Sequence, residues 1–97
     1  MVSQEIVDEV KRRLHIINED DQKIKDLITQ SHAYVQARCG NFELDNLKGK
    51  ELVIERVRFI HNGYTEHFYD SFLPDLNSLR MELMNSVEET TDNSAGL

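Results

Sequence analysis

Two amphipathic segments, Asp20 to Gly40 and Lys48 to Gly63, set the terms on which this chain can fold. Apolar residues recur in both at the 3.6-residue period of a helix, and in the second they occupy more than one core-facing stripe. On the first, Ile24, Leu27, Ile28, Tyr34, Val35 and Cys39 share a face. On the second, Val53, Val57, Ile60 and Tyr64 make a similar stripe, while Leu52 and Phe59 form another line beside it with Arg56 between the two. A chain this small has little internal surface with which to bury both lines, so the second is expected to meet a neighbouring chain.

The 97 residues suffice for one domain with a single modest core. With 30% charged and 39% hydrophobic residues, one proline and four glycines, the composition is that of a soluble helical protein. Eighteen acidic residues against eleven basic leave a net charge of -7, which disfavours capture of DNA on Coulomb grounds. Lys11, Arg12 and Arg13 cluster, but Arg38, Lys48, Lys50, Arg56, Arg58 and Arg80 are scattered, without interleaved aromatics that would stack on bases. Cys39 is the only cysteine, so no internal disulfide forms and a reducing compartment suits the chain. Met1 to Glu9 lacks the apolar run of a secretory signal, and no stretch reaches the roughly 20 apolar residues of a membrane span. A cytosolic origin without membrane contact is expected.

Four helices follow from the pattern. Ser3 is placed to cap the first, which carries Ile6, Val7, Val10, Leu14 and Ile17 on one face, with acids early and Lys11 to Arg13 late, as the helix dipole favours. Asp20 or Asp21 caps the second, which runs to about Cys39 and ends at Gly40 in a left-handed conformation. After a connector, Asn41 to Leu47, the third begins near Leu47 or Lys48 and stops at Asn62-Gly63. Tyr64 to Ser71, with His67, Phe68 and Tyr69, is too aromatic for an idle linker and is expected to pack. The fourth helix starts around Phe72, holds Pro74 in its first turn, and aligns Leu73, Leu76, Leu79, Leu83, Met84 and Val87. The fold class is therefore all-α: a small bundle of about four helices over residues 1–87, with a flexible acidic tail at 88–97.

The residue types that carry chemistry are poorly arranged for it. His15, His32, His61 and His67 lack i, i+4 pairing, and one cysteine supplies no Cys-x-x-Cys, so no metal site is expected. Cys39 falls on an apolar face, where a thiol acts as a small hydrophobe. Glu19, Asp20 and Asp21 read as a solvated cap without a calcium-loop pattern. The glycines are isolated and form no phosphate cradle. No enzyme activity and no cofactor are expected. Arg56, set among apolar residues, must extend its tip to water or find a carboxylate across an interface. Leu52, Arg56, Phe59, Phe68, Tyr69 and Phe72 are the candidate subunit or partner interface, although for Phe68, Tyr69 and Phe72 closing the local core between the third and fourth helices is the favoured role.

The order of parts is a short helix, then Ile24-Lys-Asp-Leu-Ile-Thr-Gln-Ser-His-Ala-Tyr-Val-Gln-Ala-Arg-Cys-Gly40, then Leu52-Val-Ile-Glu-Arg-Val-Arg-Phe59, an aromatic loop, and Phe72-Leu-Pro-Asp-Leu76. Over roughly Asp20 to Met84 this resembles the small helical head-tail connector (adaptor) proteins of tailed bacteriophages. The resemblance implies a homo-oligomeric ring under the phage portal protein. Such a ring continues the DNA channel, lets DNA pass without sequence-specific binding, and docks head-completion or tail proteins. It implies location at the virion head-tail junction, and in the host cytoplasm during assembly. A ring needs two different surfaces per subunit, and a net negative wall repels phosphates instead of holding them. A different class, a small acidic helical regulatory module that masks a basic surface on another protein, fits the charge balance as well.

Overall fold

Three of the helices begin at a side chain that satisfies their free N–H groups. Ser3 Oγ accepts from the Ile6 N–H at 3.3 Å, an Asp20 carboxylate oxygen from the Gln22 N–H at 3.3 Å, and Asn46 Oδ1 from the Gly49 N–H at 2.9 Å. The computed structural model describes the backbone of residues 2–95 and the side chains of residues 2–85. Among these lie α1 (Gln4–Arg13), α2 (Asp21–Cys39), α3 (Leu47–His61) and α4 (Phe68–Ala95), with a 3-10 turn at Thr65–His67 before the last. The class is all-α, as the periodicity predicts, with no strand among the described residues. Of the tail expected at 88–97, the backbone is helical as far as Ala95, and the side chains and the last two residues lie outside the described residues.

The helix ends depart from expectation in ways that backbone chemistry explains. Helix α1 stops at Arg13, because His15 takes a positive φ of 57°. The N–H groups of His15 and Ile16 then turn back to the carbonyls of Arg12 and Lys11, at 3.3 and 2.9 Å. This is a Schellman closure with histidine in the place usually held by glycine. The chain reverses there, so Ile16 enters the core, whereas Ile17, expected on the buried face, is 82% exposed. Gly40 ends α2 with φ 118° and ψ 172°, a positive-φ region open to glycine but distinct from the expected left-handed helix. Helix α4 begins a turn earlier than expected, at Phe68, and breaks at Phe72 (φ -114°, ψ 16°). Pro74 accounts for the break: it has no N–H, and its ring would press on the carbonyl of Asp70.

Helix α3 lies at the centre. Leu52, Val53, Ile54 and Val57 are all buried, and Leu52 to Ile54 alone sweeps about 200° of its circumference. Helix α2 packs on one flank and α4 on the other. The second apolar line on α3 is thus covered within the chain: Leu52 is 3% exposed, and Phe59 packs against the rings that open α4. Tyr64, expected in the first stripe, lies beyond the helix end and is exposed. Val7, Val10, Ile24, Ile28, Val35, Leu76 and Leu79 complete the core.

Two local contacts hold the periphery. In the connector, Phe42 is buried, and its carbonyl accepts hydrogen bonds from Nε2 of His32 (2.8 Å) and of Gln36 (3.1 Å). Its ring lies flat on Gly49, where any Cβ would fall inside van der Waals contact. Helix α1 is fastened by charge. Arg13 donates two hydrogen bonds to Glu51 on α3, at 2.7 and 2.6 Å, Lys50 reaches Glu9 at 3.2 Å, and Lys11 meets Asp21 at 2.8 Å. The Arg13 hydrogen bonds hold Glu51 below its ordinary pKa, and those of Lys11 and Gln4 do the same for Asp21. Burial works to raise Glu9, but Lys50 and Arg13 outweigh it and the net direction is down.

Two outcomes are expected. Gly49→Ala improves helix propensity by about 1 kcal/mol but collides with Phe42, so urea denaturation should show a net loss of about 1–2 kcal/mol. Carboxylates depressed in the folded state contribute stability that is complete above their ordinary range and lost as pH falls through their folded values. The melting temperature should therefore fall below about pH 4.5, the ordinary glutamate value. Glu51→Gln should make that acid decline shallower while costing less than about 1 kcal/mol at neutral pH.

Candidate functional site

Where α2 and α3 cross, Ser31 is fully buried, small enough to let a long side chain of α3 pass over it. Arg56 does so, and its Nη1 donates to Ser31 Oγ at 3.2 Å. Its guanidinium carbon then sits 4.0 Å from the ring centre of Tyr34, one helical turn further along α2. Arg38, four residues after Tyr34 and so on the same face, brings a second guanidinium to 3.7 Å from that ring. Tyr69, from the first turn of α4, lies 5.7 Å from Arg38 and is 43% exposed. Two cations thus share one tyrosine at the meeting of three helices.

The electrostatics of this stack are unbalanced. Burial lowers the pKa of Arg56, Tyr34 opposes that, and the charge of Arg38 adds to it; arginine still remains a cation. Arg56 Nε is enclosed with no hydrogen-bond partner. An enclosed donor left unpaired costs about 1–3 kcal/mol, and a partly desolvated cation–π contact returns about 0.5–2 kcal/mol, so the arrangement contributes little net stability. Among the described residues, Lys11, Arg13, Lys23, Lys48, Lys50 and Arg58 each form an ion pair with a carboxylate, whereas Arg38 and Arg56 form none.

Beside the stack an aromatic cluster joins α3 to α4. Phe68 and Phe72 are stacked at 5.0 Å, Phe59 meets both edge-on at 5.8 and 5.5 Å, and Tyr34 meets Phe68 edge-on at 5.9 Å. On the far side of Leu52, α3 and α4 leave a groove of about 160 Å³ lined by Lys48, Glu51, Leu52, Glu55, Phe72 and Asp75. Its floor is apolar and its rim mostly acidic.

The six residues expected at an interface therefore divide. Leu52 and Phe68 are core, at 3% and 1% exposed; Leu52 shows only its edge at the floor of the groove, and Phe68 has no surface to offer a partner. Phe59 and Phe72 are half-buried in the aromatic cluster. Arg56 and Tyr69 reach the surface and meet at the stack through Tyr34 and Arg38. The last two were missing from the expected set. The i, i+4 spacing of Tyr34 and Arg38 is legible in the sequence, but the arrival of Arg56 depends on how α3 crosses α2.

The remaining reactive groups serve the fold. Cys39 is buried, its Sγ–H donates to the Leu76 carbonyl at 3.3 Å, and burial pushes the thiol pKa up. Among the described residues, no three His, Cys, Asp or Glu side chains converge as a metal site would require, and no helix is long and apolar enough to cross a membrane. No protein-family model matches this chain, and neither the curated proteins nor the solved structures contain a match.

The division between core and surface has a measurable consequence. Phe68→Ala should cost about 3–5 kcal/mol in urea denaturation, as expected for a buried aromatic. Tyr69→Ala should stay within about 0.5 kcal/mol, as expected for a surface position.

Proposed function

We propose that this chain is a non-enzymatic structural adaptor of the tailed-phage head-tail junction, assembling as a ring beneath the portal and docking head-completion or tail proteins. The observation that carries the reading is the pair of unlike surfaces flanking α3: the Arg38–Tyr34–Arg56 stack on one side and the acid-rimmed groove over Leu52 and Phe72 on the other. A ring is built from heterologous contacts, in which one surface of a subunit meets a different surface of the next, and these two differ in kind: two guanidiniums on an aromatic ring, against an apolar floor whose rim acids Glu51 and Glu55 are already paired with Arg13 and Arg58. The order of helices and the aromatic junction before α4 supply the rest of the support, through the resemblance drawn from the sequence. The net charge of -7 favours passage of DNA along a channel over its capture. On this reading the subunits gather in the host cytoplasm and end in the virion. Arg56 and Tyr69 remain contact residues, and Leu52 and Phe68 support them from beneath.

Affinity purification of the tagged chain from phage-producing source cells, followed by mass spectrometry, tests the proposal. Portal and head-completion proteins should copurify, and native mass spectrometry should find multiple copies of the chain in the complex. Recovery of a repressor or polymerase subunit without virion components would replace the adaptor with the acidic regulatory module.

A further inference from the structure

Of the eleven basic side chains, Arg12, Lys25, Arg38, Arg56 and Arg80 meet no carboxylate among the described residues. Six of the basic side chains have found acids within the fold, yet two that lack one converge on a single ring, at 3.7 and 4.0 Å. Neither guanidinium is loose. Arg56 is pinned by Ser31 and by the enclosure of its Nε, and Arg38 lies on Tyr34 one turn along the same helix. Their rotamers are thus ordered before any ligand arrives, which lowers the entropic cost of binding.

We infer that the Arg38–Tyr34–Arg56 stack is a carboxylate-recognition site, shaped for an acidic segment of a partner protein whose neighbouring apolar side chain rests on Tyr69. The two cations repel each other, and an anion placed against both relieves that repulsion while accepting charge-assisted hydrogen bonds. Guanidinium forks match carboxylates in geometry, and the tyrosine faces keep the forks oriented. Tyr69, exposed and 5.7 Å from Arg38, adds an aromatic shelf beside the charge, suiting a protein segment that mixes acidic and apolar residues. An extended polyphosphate would also present an anion. However, it carries charge over many units, all repelled by the net -7 of this chain, whereas one or two carboxylates meet the local cations with little of that cost. The inference rests on the adaptor reading in so far as it takes the face that reading sets against an acid-rimmed surface, and its failure is read separately from copurification with portal.

The test is a titration of the isotope-labelled full chain with a blocked Glu-Leu-Glu peptide, followed through the arginine Nε–H and tyrosine ring resonances. Saturable shifts confined to Arg38, Arg56, Tyr34 and Tyr69 are expected. A blocked Gln-Leu-Gln peptide should bind at least about tenfold more weakly. Arg38→Gln, a substitution at an exposed position, should keep the helical circular dichroism while weakening Glu-Leu-Glu by a similar factor. Equal responses to the two peptides, or no saturable shift at these residues, would overturn the site. Tighter binding of a short single-stranded DNA than of Glu-Leu-Glu would overturn the choice of a protein partner. Failure here leaves copurification with portal to be judged separately, so the two proposals fall or stand apart.

Discussion

The burial of α3 on two flanks is the constraint from which the rest of the bundle follows. Leu52, Val53, Ile54 and Val57 leave the helix in directions too widely spread for one neighbour to cover, and both α2 and α4 are needed. Each such side chain contributes about 1.5–3 kcal/mol on leaving water, so exposing either flank would remove much of a small domain's margin of stability. The break at Phe72 and the rings of Phe59, Phe68 and Phe72 are what bring α4 onto the flank that α2 leaves open. Gly49 serves the same end on the other side, because a smooth helix surface lets Phe42 seal the start of α3.

Because α3 is enclosed, the chain's surface character is set by charge more than by apolar patches. Most basic groups are absorbed into ion pairs, several of them joining α1 to α2 and α3. These pairs are individually weak, and they add to the hold that the fully buried Val7 and Val10 give α1 on the core. Arg38 and Arg56 are two of the five basic side chains that form none among the described residues, and they alone meet over one ring. An arrangement that adds little to stability, yet keeps two like charges together, is the kind of local inconsistency that binding surfaces show. The stack and the groove over Leu52 give the chain two faces of different character, as the proposed ring would need.

Much of the fold was legible because it is local. Caps at Ser3 and Asp20, the stop at Asn62-Gly63 and the apolar stripe of α2 each depend on residues within a turn or two of one another, while the equally local cap at Asn46 lies in what the sequence reads only as a connector. The departures are of the opposite kind. Ile17 was assigned to the core face of α1 because periodicity has no sign for the chain reversal that His15 introduces. Leu52 reads as a partner contact if one stripe per helix is all that a small core needs, whereas a helix with neighbours on two sides needs two; the burial of Phe68 agrees with the core-closing role favoured for it. Of the candidate site, Arg56 and Tyr69 were recognisable as polar or aromatic groups in apolar company, while Tyr34 and Arg38 were hidden in an ordinary helical pattern.

The sequence by itself determined the all-α class, the caps that start α1 and α2 and a net charge dominated by acids, since propensity, capping and net charge act over short distances or as plain sums. Tertiary structure alone decided which of the two apolar lines on α3 faces which helix, and that Arg56 crosses Ser31 to share Tyr34 with Arg38. The physical reason is that packing joins residues 25 positions apart through geometry that no periodicity encodes. A guanidinium's partners are fixed only once the helices have met.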